Sequence, residues 1–154
     1  MSGKAALPTR GARCLQLNML QNNGTIDSYA AVKKIKYLQK SNNGSKNLIK
    51  EAFAIYNNLH KSQQNEYVIN ALLTCCKKDK KLSNDTIKVI NHIKNQIMNS
   101  NDNNVYAKNT LISVYSQCKD ITNATKVFDS IPKHKKTVVS INNMMNALSS
   151  KEIN

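Results

Sequence analysis

Apolar residues recur at helical spacing along most of the chain. Ile69, Leu72, Leu73 and Cys76 fall on one face of a helix, Ala107, Leu111, Tyr115 and Cys118 on one face of another, and Ile121, Ala124, Val127, Phe128 and Ile131 form a third stripe. No window alternates apolar and polar residues for long enough to suggest a buried strand. Helix breakers are confined to Gly3, Gly11, Gly24, Gly44, Pro8 and Pro132, so almost nothing interrupts helices beyond residue 45. The pattern predicts an all-α chain with helices over 27–40, 46–60, 66–77, 84–98, 105–118, 121–131 and 138–149. Asp27, Ser83 and Asp120 are predicted N-caps, because their side-chain oxygens can accept from the free amides of a first helical turn. Short polar links between these helices predict antiparallel hairpins.

The segments also repeat. YVINALLTCC from Tyr67, AKNTLISVYS from Ala107 and VSINNMMNAL from Val139 each place an Asn, one residue, then two bulky apolar residues. Their anchors, Asn70, Asn109 and Asn142, recur at intervals that match the period of helical-hairpin repeats. A second pattern precedes two of them. AFAIYNNL from Ala52 and ATKVFDSI from Ala124 share Ala, a β-branched residue, an aromatic and a final aliphatic, and the interval from Leu59 to Asn70 equals that from Ile131 to Asn142. TIKVINHI from Thr86 ends at Ile93, and the interval from there to Asn109 is longer, which implies a five-residue insertion in that linker. The chain therefore divides into a disordered segment or targeting leader at 1–26, hairpins at 27–65, 66–104 and 105–137, and a lone first helix at 138–154. A hairpin of this size cannot bury both faces alone, so the expected architecture is an α-solenoid of stacked units. The lone last helix, with Met144, Met145 and Leu148, should leave an apolar edge exposed, so either the chain is a fragment of a longer array or the edge docks onto a protein partner or a second copy.

Charge changes the picture more than composition does. Lys and Arg number 23 against 9 Asp and Glu, giving +14 over 154 residues, and such a field attracts polyanions, nucleic acid first. No segment approaches the roughly 18 consecutive apolar residues of a membrane span. Abundant Asn and Lys also reflect compositional bias, which discounts the charge argument. Residues 1–26 hold Lys4, Arg10 and Arg13 and no acidic residue, resembling an organellar, for instance mitochondrial, transit peptide, although Pro8 and Gly11 interrupt any amphipathic helix there.

The third unit with the start of the next, NTLISVYSQCKDITNATKVFDSIPKHKKTVVSINNMM, resembles a pentatricopeptide repeat. The resemblance is strong over 105–148, good over 66–104 and weak over 27–65, where Tyr29, Ala31, Val32, Ile35 and Leu38 can be laid on the first-helix pattern but a Gly-bearing insertion at 42–46 follows. It implies a right-handed superhelix that binds single-stranded RNA, one base per repeat, in processing, stability, editing or translation. Carried over residue by residue, it implies base reading by Asn70, Asn109 and Asn142 together with the repeat-end residues Asn65, Asn104 and Thr137. Tyr67, Tyr106 and Val139 fall where the family sets a side chain against the bases. Asn70 paired with Asn104 would favour a pyrimidine.

The chemistry fits independently. An Asn amide offers two donors and an acceptor to an unpaired base edge, and a tyrosine ring can stack on any base. Packing within the array is the alternative use of Tyr67 and Tyr106. Lys77, Lys78, Lys80 and Lys81 around Asp79, and Lys133, Lys135 and Lys136 beside His134, suit phosphate contact or simple solvation.

No catalytic arrangement, metal site or cofactor is suggested. His60, His92 and His134 are scattered, near the ends of second helices, without partners at metal or triad spacing. Cys14, Cys75, Cys76 and Cys118 form no Cys-x-x-Cys, so Cys75, Cys76 and Cys118 are expected as small core residues. The rival reading is a tetratricopeptide-like protein-binding scaffold, but its Trp and Leu-Gly signature is missing.

Overall fold

The computed structural model describes residues 26–41, 47–100 and 104–150. The leader up to Thr25 and the Gly-bearing segment 42–46 lie outside the described residues. Within them are seven α-helices and no strand: α1 Ser28–Ser41, α2 Leu48–Asn57, α3 Glu66–Lys78, α4 Asn84–Asn99, α5 Val105–Gln117, α6 Ile121–Asp129 and α7 Val138–Ser149. Each expected helix is present.

Six of the seven starts, all but that of α2, follow from capping chemistry. Asp27 Oδ1 accepts from the Ala30 amide at 2.7 Å, Ser83 Oγ from Thr86 at 3.4 Å and Asp120 Oδ1 from Asn123 at 3.0 Å, so all three predicted caps are in place. Asn65, Asn104 and Thr137 cap α3, α5 and α7 in the same way, Thr137 through a capping box with Ser140. The residues preceding the caps of α4 and α6, Leu82 (φ 49°) and Lys119 (φ 56°), are both left-handed. A side chain with a Cβ pays about 1–2 kcal/mol for that conformation, and it recurs because both hairpins need the same sharp reversal.

The α3–α4 reversal is organised by Asp79. Its carboxylate accepts from the amides of Lys81 and Ser83 at 3.2 and 2.9 Å, from Ser83 Oγ at 2.7 Å and from Thr86 Oγ1 at 2.6 Å. Partial burial pushes its carboxyl pKa up, but these donors outweigh it and hold the group below the usual carboxylate range.

The equal intervals after Leu59 and Ile131 have a structural counterpart. Both residues are buried behind α2 and α6, and each is followed by a single 3-10 turn, Lys61–Gln63 or Lys133–Lys135, before the next cap. In the middle unit α4 ends one residue beyond its expected end, at Asn99, and the extra residues assigned to the linker lie in this longer helix. Ile97 continues the buried stripe of Val89, Ile90 and Ile93, so burial favours carrying the helix onward.

The odd-numbered helices pack in sequence, α1 on α3, α3 on α5 and α5 on α7, while α2 packs on α4 and each helix packs on its chain neighbour. This explains the patterns. α3 buries Val68, Ile69, Ala71, Leu72, Leu73, Cys75 and Cys76, nearly all round, because helices meet it on several sides, whereas α6 buries only a stripe. Ile35, Leu72, Leu73, Ile93, Leu111 and Ile112 are fully enclosed, each contributing roughly 1.5–3 kcal/mol. Polar ties cross the layers. Gln39 Nε2 donates to the Ala71 carbonyl at 2.9 Å, Tyr56 pairs with Gln96, and Lys94 Nζ reaches Asn123 Oδ1 at 2.7 Å. His92 lies in the middle of α4, edge-on to Phe53 at 5.4 Å, rather than near a helix end.

Among the described residues, α7 is covered on one flank only. Val138, Ile141, Met145 and Leu148 are exposed, whereas Lys108, Ile112 and Tyr115, which hold in α5 the positions that the last three hold in α7, are buried. Met144, expected on the exposed edge, belongs instead to the core, because it faces the flank that α5 and α6 cover. No helix among the described residues is long and apolar enough to cross a membrane.

Candidate nucleic-acid interface

The caps fix a common register for the odd-numbered helices, and the candidate residues fall into it. Asn65, Asn104 and Thr137 are the caps, Tyr67, Tyr106 and Val139 stand two residues further, and Asn70, Asn109 and Asn142 five further. Tyr67 and Tyr106 are about two-thirds exposed, which decides against packing within the core as their role. The same register, run back to Asp27, adds Tyr29, equally exposed, and puts Val32 where the other units have Asn. Sequence reasoning placed Tyr29 on the helix but did not align it with Tyr67 and Tyr106. The cap-plus-two spacing was the available signal.

The amides are not simple surface groups. Asn109 is 7% exposed, and its Nδ2 donates weakly to Thr137 Oγ1 at 3.4 Å, while its Oδ1 is buried without a partner. Asn70 is half-buried. Its Oδ1 lies 2.9 Å from Thr110 Oγ1, and its Nδ2 is buried without a partner. The Thr110 hydroxyl also lies 3.1 Å from the Tyr106 carbonyl, and its single proton cannot serve both acceptors. Turning the Asn70 amide would let Nδ2 donate to Thr110, which then donates to the carbonyl. In either orientation one polar atom of Asn70 is unmatched.

Asn142 is exposed on α7, and the neighbouring Asn143 faces α5, donating from Nδ2 to the Asn109 carbonyl at 2.9 Å. Thr110 and Asn143, one position beyond the anchors, are thus the interhelical partners that sequence reasoning missed.

Two open grooves follow from this placement. One, of about 590 Å³, is lined by Tyr106, Asn109, Thr110, Thr137, Val139 and Asn143, with Thr74 and Lys77 of α3 at its side. The other, of about 550 Å³, brings together Asn65, Tyr67 and Asn104 with Gln64, Gln96 and Ser100. Asn109 and Thr137, expected as a reading pair, are in contact. Asn70 is engaged with Thr110 rather than with its expected companion Asn104. The repeat-end residues also carry a second duty. Asn65 Oδ1 accepts from the Tyr67 and Val68 amides at 3.2 and 3.3 Å, and Asn104 Oδ1 from Ala107 at 3.0 Å, leaving their amide N–H groups as what they can offer outward.

Of the lysine runs, Lys77 borders the first groove, Lys78 Nζ donates to the Gln39 carbonyl at 3.0 Å, and Lys136 Nζ lies 4.1 Å from the Phe128 ring centroid. Several lysines are therefore used locally. Lys108, in the helix layer behind the groove, donates to the Ser130 carbonyl at 3.2 Å, and burial lowers its pKa.

Cys75 and Cys76 are core residues, and Cys118 is half-buried at the end of α5. Burial, then the Asp120 and Asp79 carboxylates, push the Cys118 thiol up to about 11, so it stays protonated and a poor nucleophile at neutral pH. Among the described residues no group of three or more His, Cys, Asp or Glu is placed to hold a metal ion. Compared with protein-family models, curated proteins and solved structures, the chain matches none.

Proposed function

We propose that this protein binds single-stranded RNA along the face formed by the odd-numbered helices, arranged as a right-handed solenoid similar to pentatricopeptide-repeat proteins, with one hairpin addressing one base. The observation that carries the reading is the pair Asn70 and Asn109. They occupy the same register in successive helices, each keeps a buried polar atom without a partner, and each stands one helical turn from an exposed tyrosine. An unmatched buried polar atom costs about 1–3 kcal/mol. A base edge entering the groove that Asn109 lines supplies the missing partner there, and one that reaches Asn70 does the same, while Tyr67 or Tyr106 supplies a stacking surface worth about 1–3 kcal/mol per base. The +14 charge draws the strand in.

Fluorescence anisotropy with labelled single-stranded RNA, single-stranded DNA and duplex tests this. Single-stranded RNA should bind most tightly, and an Asn70→Ala/Asn109→Ala double variant should lose discrimination between pyrimidine and purine oligonucleotides. Equal affinity for all three polyanions would reduce the interaction to net charge. The exposed stripe on α7 favours a second reading, a tetratricopeptide-like protein scaffold, and that reading expects no preference for single-stranded RNA.

A further inference from the structure

The face that carries the amides on α3 and α5 changes character on α1. Tyr29, Lys33, Lys36 and Lys40 follow one another at helical spacing, opposite the buried Ala31, Ile35 and Leu38, and all four are exposed. Lys33 Nζ sits 4.4 Å from the Tyr29 ring centroid, so the cation and the ring form one surface. The positions of Lys33, Lys36 and Lys40 are taken on α3 by Ala71, Thr74 and Lys78, on α5 by Thr110, Ser113 and Gln117, and on α7 by Asn143, Asn146 and Ser150. At these three positions lysines therefore fall from three on α1 to one on α3 and none beyond, with Lys77 of α3 a further lysine beside the groove. In the opposite sense, the reading amide present at Asn70 and Asn109 is replaced on α1 by Val32, which has no donor or acceptor to offer a base edge.

We infer that the α1 face is a phosphate anchor that does not read base identity, holding the sugar–phosphate backbone of the strand through Lys33, Lys36 and Lys40 while Tyr29 stacks on whichever base lies there. This rests on the RNA reading above. It assigns the two binding terms to different helices: α1 supplies salt-dependent, sequence-independent affinity, and α3 and α5 supply selection.

The test uses the full chain and a single-stranded RNA of about 12 nucleotides, within the usual range of single-strand site sizes. Affinity is measured at several salt concentrations for the parent protein and for a Lys33→Gln/Lys36→Gln/Lys40→Gln variant. A control, Lys88→Gln/Lys119→Gln/Lys126→Gln, removes the same charge from exposed positions elsewhere. Circular dichroism and melting establish that both variants fold. At about 0.7 log units of slope per phosphate contact, losing three contacts flattens the salt dependence by about 2 and weakens binding about a hundredfold at 0.1 M salt. The control should change much less, and the ratio between pyrimidine and purine affinities should stay as in the parent. Parent-like slope in the α1 variant, an equal effect in the control, or an altered base preference overturns the anchor while leaving the RNA reading standing. Failure of the parent to bind RNA removes both.

Discussion

Replacing Asn109 by Leu separates a binding amide from a structural one. The two side chains have the same number of heavy atoms and the same branching, and Asn109, only 7% exposed, borders an open groove that can take the bulkier methyl groups. The substitution removes an Oδ1 that has no partner, relieving about 1–3 kcal/mol of desolvation cost. It also removes the Nδ2 contact to Thr137, which at 3.4 Å is long and contributes less than about 1 kcal/mol. The bond from Asn143 is made to the main-chain carbonyl of Asn109 and survives. The balance is a gain of about 1 kcal/mol, or a melting temperature higher by about 2–4 °C for a chain of this size. RNA affinity should move the other way, falling about tenfold if the amide contributes about 1.4 kcal/mol to a bound base. Differential scanning calorimetry and anisotropy on the same preparation read both. A variant that melts several degrees lower would show the amide to be part of the fold, and one that is stabilised yet binds and discriminates as before would remove Asn109 from the reading set.

Two further predictions concern the fold that carries the site. Ile112→Ala should cost about 2–5 kcal/mol because Ile112 is fully enclosed, whereas Met145→Ala, at the equivalent position of α7, should stay within about 0.5 kcal/mol; equal costs in urea unfolding would mean that α7 is covered in solution. Asp79→Asn should destabilise by about 1–2 kcal/mol at pH 7 through weakened charge-assisted hydrogen bonds. Because the folded carboxyl titrates below its ordinary value, its contribution is complete above the usual carboxylate range and is lost as pH falls through the folded value. The difference between parent and variant should therefore shrink in urea titrations at acidic pH, and a gap independent of pH would contradict the role given to the carboxylate.

Much of the site's framework was legible because it is local. A cap, a residue two further on and a residue five further on lie within two turns of one helix, so once spacing had aligned Asn70, Asn109 and Asn142, the resemblance pointed to Asn65, Tyr67 and their counterparts by a short count along the chain. What escaped was mutual orientation. Asn142 and Asn143 are both amides, and adjacent residues on a helix point about 100° apart. Which of them meets α5 depends on where α5 lies, and it is Asn143. The same difference in direction sends Met144 into the core and Met145 to solvent.

By itself, then, the sequence determined the number, order and starts of the helices and the period of the repeat, since capping groups, breaker placement and apolar spacing act over a few residues. Only the tertiary structure decided which polar atoms are left unmatched. Asn109 reads in sequence as a repeat anchor equivalent to Asn70 and Asn142, and its Oδ1 is unpartnered only because α5 is enclosed by α3, α6 and α7. Burial and hydrogen-bond satisfaction belong to a group's neighbours, and those neighbours are brought in from helices far away along the chain.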